Sequence, residues 1–251
     1  MSLIKWQTKF VLAGALILPA APFLYLQGQA TRRRVGLLPN AAGPNTGVAG
    51  DPPAAVELLV IGESTVAGLG AKTHETALAG QFARQLSARL GCGVHWTAIG
   101  RNGVTAERTI RELVPLIPKQ TFDYVLVALG GNDVMKLSSP RKWRRDMLSL
   151  LAILRNANPD AVVFLSNCPV IKLSPAIPQP INFILWQLSK LHDANIKEIA
   201  AAEDGVYYYH QPTAVPADFF ADGIHPSETG YAEWARAMME FFDANHAWMK
   251  R

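Results

Sequence analysis

The chain has 251 residues, 49% hydrophobic and 18% charged, an ordinary globular composition that excludes a disordered chain, a collagen and a coiled coil. Two cysteines, Cys92 and Cys168, are too few for a disulfide framework or a cysteine-based zinc site. The net charge of +4 originates in the first 34 residues, which hold five of the 24 lysines and arginines and no acid; the remaining 19 face 20 acids, so the body lacks the basic surplus of a nucleic-acid binder.

In chain order, the first feature is residues 10–26, FVLAGALILPAAPFLYL: 17 uncharged, mostly apolar positions with Lys5 and Lys9 before them and Arg32, Arg33 and Arg34 after. As a helix this run covers about 25 Å, slightly less than a hydrocarbon core of about 30 Å. Trp6 and Tyr25 stand where interfacial aromatics anchor a span, and Pro19 and Pro22 would kink it. Three readings stay open: a single-span anchor, a signal peptide with a small-x-small site at Gly28-Gln29-Ala30, and a helix packed on the body. The expectation is membrane association through residues 1–34, with the body on the extracytoplasmic face, or secreted if the segment is cleaved. The basic residues on the two sides nearly balance, so orientation is weakly specified. Residues 35–54, rich in Gly, Pro, Ala and Asn, read as a linker, and 55–251 as one domain.

From Val56 strands and helices alternate. Short apolar runs at 56–62, 94–100, 122–130, 161–167 and 206–210 predict five strands. Between and after them, helices are predicted over 74–90, where Leu78, Phe82, Leu86 and Leu90 recur every four residues, and over 105–117, 142–156, 181–202 and 226–246. Pro226 suits an early helical position, where its missing N–H costs nothing. This alternation implies βαβ units: an α/β three-layer α/β/α sandwich with a mostly parallel five-stranded sheet and an N-terminal hydrophobic helix. In such sheets the working residues lie at the carboxyl ends of strands.

Four segments sit at such positions. Gly62-Glu63-Ser64 follows the first strand, where a serine on a tight turn exposes its hydroxyl, although serine is also a preferred helix cap. Arg101-Asn102-Gly103-Val104-Thr105 follows the second; Gly103 lets a backbone N–H approach a ligand, and Asn-Gly also makes a plain turn. Gly130-Gly131-Asn132-Asp133 follows the third, and Asn132 offers a neutral donor for an oxyanion. Asp222-Gly223-Ile224-His225-Pro226 precedes the last helix, with Asp222 spaced to orient His225 as a base. Each has a bland alternative as a cap or turn; the complete set, in this order, has none.

The four segments resemble, in order, the blocks of the SGNH (GDSL-like) hydrolase family: Gly-Asp-Ser, a lone Gly, Gly-x-Asn-Asp and Asp-x-x-His. The resemblance covers about residues 56–245. It implies a serine hydrolase that cleaves carboxylic esters (lipid, acyl or acetyl) by way of an acyl-enzyme, without cofactor or metal. It assigns Ser64 as nucleophile, His225 as general base and Asp222 as the acid that orients it, with an oxyanion hole made by the N–H groups of Ser64 and Gly103 and the side chain of Asn132. Gly100 is an alternative alignment for the second block; the Gly-x-Thr spacing favours Gly103. One departure is Glu63, where the family has Asp. The implied partners are a small-molecule or lipid ester and a membrane, with no nucleic acid. An α/β-hydrolase is disfavoured, because it places its serine mid-chain and separates Asp from His. A catalytically silent, membrane-displayed domain binding lipid or glycan in the same cleft is the alternative from another class.

Outside the blocks, Ile181–Trp186 reads as core packing before acyl-pocket lining, and the basic cluster Arg141, Lys142, Arg144 and Arg145 as a solvated helix face. Cys168 reads as a small buried residue.

Overall fold

The computed structural model describes residues 2–51 and 54–248. In chain order the elements are α1 (Ser2–Ile17), α2 (Ala21–Val35), β1 (Thr46–Ala49), β2 (Ala54–Gly62), α3 (Leu78–Leu90), β3 (Gly93–Gly100), α4 (Ala106–Glu112), β4 (Tyr124–Ala128), α5 (Gly131–Met135), α6 (Pro140–Ala157), β5 (Val162–Leu165), α7 (Ile181–Ala202), β6 (Val206–Tyr208) and α8 (Glu228–Asn245). Short 3-10 turns occupy 18–20, 114–116 and 171–173.

The five strands read from the sequence are β2 to β6, and they run parallel in the order β3-β2-β4-β5-β6. Along β2, Leu58 and Val60 enter one core cluster and Leu59 and Ile61 the other. β4 and β5 divide in the same way, Leu126 and Phe164 to one side, Val127 and Leu165 to the other. Burial on both faces explains why these strands read as unbroken apolar runs. Helices α3 and α8 cover one face and α4, α6 and α7 the other. Phe164 centres the first layer, its ring 5.5 Å from Phe82, 4.6 Å from Phe242 and 5.3 Å from Trp248.

A sixth strand was not expected. β1 lies in the stretch 35–54, read as a linker, and pairs antiparallel with β3, making the sheet mixed. Its four residues bury one side chain, Ala49, while Val48 is half exposed, so no periodicity announces it. Gly47 is required there: a Cβ would stand 2.5 Å from the Trp96 ring.

Helix bounds shift for identifiable reasons. The helix expected from His74 begins at Leu78, because Thr73–Ala77 form a turn knit by Thr76 and by Glu228 from α8. The helix expected over 105–117 stops at Glu112 and gives way to the tighter turn around Pro115. The last helix is capped by Ser227, whose Oγ accepts the Gly230 N–H at 3.0 Å; Pro226 therefore stands before the cap, not in the first turn.

At the amino terminus α1 and α2 join across the turn at Pro19 into one helical stretch, Ser2–Val35, long and apolar enough to cross a membrane. None of the residues of α1 and α2 is buried. The stretch lies against α6 and α7 and hydrogen-bonds the body: Gln7 Oε1 accepts the Arg141 N–H at 3.2 Å, and Gln27 Nε2 and Arg34 Nη2 donate to the carbonyls of Gln179 and Ala176 at 2.6 and 2.7 Å.

Candidate active site

The parallel sheet delivers the four sequence segments to its carboxyl edge. Gly62 closes β2 under the end of β4: a Cβ there would sit 2.1 Å from the Ala128 carbonyl oxygen, so only glycine permits this pairing. The chain then turns through 63–70 without starting a helix, which removes the capping explanation for Ser64. Ser64 is largely buried, and its carbonyl accepts the Leu69 N–H at 3.1 Å.

The second loop holds Gly103 at φ +81°, with open space where a Cβ would be, whereas Gly100 packs tightly, a Cβ there meeting the Ala67 nitrogen at 2.2 Å. The open glycine of the two is thus Gly103. Its carbonyl is turned away by Arg108, at 3.1 Å, and by the Lys136 ammonium. Among the described residues, the N–H groups of Ser64 and Gly103 donate to no protein acceptor.

The third loop begins at Gly130, φ +126°, and α5 carries Asn132 and Asp133 in its first turn. Asp133 is fully buried. Its Oδ2 accepts the Ala106 N–H at 2.9 Å and its Oδ1 the Ser138 hydroxyl at 2.8 Å, tying the second loop to the third. Burial pushes the Asp133 carboxyl above its usual range, against the pull of these two bonds. Asn132 faces Glu63.

The fourth loop makes the clearest constellation. Asp222 Oδ2 lies 2.8 Å from His225 Nδ1, while Oδ1 accepts the N–H groups of Ile224 and His225 at 2.8 and 2.7 Å. Burial would raise the Asp222 carboxyl; the bonds from the His225 ring and from the two N–H groups outweigh it and hold the acid below its usual range. Because Ser227 caps α8, Asp222 is free for this role. His225 Nε2 remains unengaged among the described residues.

The first and fourth loops abut. A Cβ on Gly70 would stand 2.1 Å from the Pro226 carbonyl oxygen, Tyr231 donates its hydroxyl to the Leu69 carbonyl at 2.6 Å, and Glu228 accepts the Lys72 N–H at 2.9 Å. The structure thus joins Asp222 to His225 and packs their loop on that of Ser64; no hydrogen bond joins Ser64 Oγ to His225. Behind the fourth loop runs the 171–181 strap, where Ser174 Oγ and Ala176 N–H both reach the Gly223 carbonyl. Ile171, Ile177, Leu185 and Val134 form a small core beneath it, packed by Ile181, Trp186 and Ile224, while Phe183 is exposed.

Several supporting residues left no signal in the sequence. Tyr208 receives the Cys168 N–H at 2.9 Å and donates to Asp193 at 2.8 Å, fixing the chain after β5. Cys168 is buried, and burial pushes its thiol well up. The basic cluster is a paired helix face: Lys142 bonds Glu107 and Asp146, Arg144 lies 3.0 Å from Asn195, and Trp143 among them is buried. A cleft of about 450 Å³ lined by Ile117, Pro118, Leu154 and Asn158 opens at the opposite, amino ends of β4 and β5 and holds none of the residues assigned to catalysis.

The sequence profile described as the GDSL-like Lipase/Acylhydrolase family matches residues 60–233, well over half of the chain. The chain belongs to this family. The GDSL-like esterase Rv1075c of Mycobacterium tuberculosis is 24% identical over 245 aligned residues, covering 88% of this chain and 77% of that one. Among solved structures, TesA superposes with a TM-score of 0.57 at 20% identity, over 75% of this chain and 98% of its own. A family two carbohydrate esterase from Clostridium thermocellum, solved with cellohexaose, superposes with a TM-score of 0.56 at 14% identity, over 80% of this chain and 67% of its own. At these identities the structures establish the fold, and the carbohydrate esterase extends well beyond what this GDSL-like hydrolase spans.

Proposed function

We propose that this GDSL-like hydrolase is a serine esterase acting on carboxylic esters through an acyl-enzyme on Ser64. The observation that carries the reading is the Asp222–His225 pair at 2.8 Å, packed against the Ser64 turn with Nε2 unengaged. Ser64 Oγ attacks the ester carbonyl carbon as its proton passes to His225 Nε2, and Asp222 holds the ring and stabilises the imidazolium. The oxyanion is met by the N–H groups of Ser64 and Gly103 and by the second N–H of Asn132 Nδ2. The C–O bond to the alcohol breaks, and the alcohol leaves with the proton from His225. Water, deprotonated by His225, then attacks the acyl-serine and releases the carboxylic acid, restoring the Ser64 hydroxyl.

The ester is read as lipid, acyl or acetyl. The helical stretch Ser2–Val35, unburied in the body and flanked by Lys5, Lys9 and Arg32 to Arg34, supports attachment to a membrane. A fluorophosphonate probe tests the mechanism: the wild type is labelled and Ser64→Ala is not. A folded wild type that resists labelling would favour the silent binding domain. A series of p-nitrophenyl esters of increasing chain length then ranks the acyl classes.

A further inference from the structure

Glu63 precedes the serine and is buried, so its carboxyl must find partners within the protein. It finds three, all in the third loop. Oε1 accepts the Gly131 N–H at 2.8 Å; Oε2 accepts the Asn132 backbone N–H at 2.7 Å and Asn132 Nδ2 at 2.5 Å. The main chain of Glu63 is fixed as well, its N–H donating to the Ala128 carbonyl at 3.1 Å and its own carbonyl accepting from Val66 and Ala67 at 3.0 Å. Gly131 makes room for the approach: a Cβ there would lie 2.8 Å from Oε1. An asparagine amide nitrogen carries two hydrogens. Committing one of them to Glu63 sets the plane of the amide and leaves the other a single direction in which to point.

We propose that Glu63 is a positioning residue for ester hydrolysis, its carboxyl clamping the Asn132 amide and the Gly131–Asn132 backbone so that the remaining Asn132 N–H is aimed at the oxyanion. The proposal rests on the roles given above to Ser64 and Asn132. Glu63 touches neither the ester nor the attacking oxygen; it acts through Asn132. All three partners are donors, so the site demands acceptors at both oxygens. A carboxyl oxygen keeps a lone pair available in either protonation state, whereas the amide nitrogen of a glutamine does not. Glu63→Gln therefore preserves length and sets a donor against a donor.

The test is a double-mutant cycle on the full chain, with kcat and KM for a p-nitrophenyl ester measured in the wild type, Glu63→Gln, Asn132→Ala and the double variant. Glu63→Gln is expected to lower kcat about 10- to 100-fold, with KM changed by less than about twofold. In the Asn132→Ala background the same change is expected to alter kcat by less than about twofold. An unchanged kcat in Glu63→Gln, or an equal loss in both backgrounds, overturns the proposal, the second outcome assigning Glu63 a general structural role. If Glu63→Gln does not fold, NMR of the wild type decides: the Asn132 side-chain amide proton bonded to Glu63 should lie downfield of the ordinary asparagine range and exchange slowly with solvent, and two Asn132 side-chain protons with ordinary shifts and fast exchange overturn the clamp. Failure of the serine reading shows separately, as hydrolysis that survives Ser64→Ala.

Discussion

At the scale of single residues, each group in the site has a measurable expected contribution. Asn132→Ala should lower kcat by about two to three orders of magnitude, the usual cost of one oxyanion donor. Asp222→Asn should keep the loop bonds to Oδ1 but present a donor to His225, lowering kcat by about four orders of magnitude through the wrong ring tautomer. Glu63 also gives a stability signature. Burial raises its carboxyl from 4.5 to about 7, against the bonds from Asn132 and Gly131, with the Asp133 charge adding to the rise. The folded state thus holds the proton more tightly than the unfolded chain. The resulting stabilisation is full below pH 4.5 and lost as pH rises through 7, and its size is on the order of 3 kcal/mol. Denaturant titrations at pH 5 and 7.5 should show the wild type gaining on Glu63→Gln at the lower pH; equal gains would contradict the burial argument. The roles of Ser64, Gly103, Asn132, Asp222 and His225 could be proposed from sequence because their segments follow strands or enter the last helix and resemble, in order, the blocks of the family. The clamp of Glu63 could not, since a carboxylate beside a serine says nothing of a partner 69 positions on.

At the scale of elements, α7 shows how a buried polar residue joins layers. His192 is fully buried, stacks on Trp143 with centroids 5.0 Å apart, and hydrogen-bonds the Ser138 carbonyl at 2.9 Å where α5 meets α6. Burial lowers its pKa from 6.5 to about 4, the Ser138 carbonyl pulling the other way. Here the folded state binds the proton more weakly, so stabilisation is present above pH 6.5 and lost as pH falls through 4. Two buried groups, His192 and Glu63, therefore act oppositely in overlapping windows. His192→Gln should flatten acid destabilisation between pH 6.5 and 4 in the same denaturant titrations; an unaltered acid limb would remove His192 as its source. Phe164→Ala should cost about 3 to 5 kcal/mol, because the ring fills the space between β5, α3 and α8. Periodicity made α3 and the strands legible, but their bounds were set by contacts distant in sequence, such as Glu228 bonding the turn before α3.

At the scale of the molecule, the amino-terminal helices and the sandwich present different surfaces. Val11, Leu12, Leu16, Leu18, Phe23 and Leu26 are all more than half exposed, an apolar load unlike the rest of the surface. Deleting residues 2–35 removes no buried side chain from the core. The truncated chain should keep its fluorophosphonate labelling and lose flotation with phosphatidylglycerol vesicles; retained flotation would move the attachment to the body. Composition made this division readable. It hid β1, where one buried alanine and a required glycine give no pattern. That small strand has an effect out of proportion to its length. It covers the flank of β3, and the opposite border, β6, is only three residues long, so the sheet ends on both sides in stubs of four and three residues. A neighbouring chain finds almost no template along which to add, and a high local concentration of the sandwich does not recruit it into fibres.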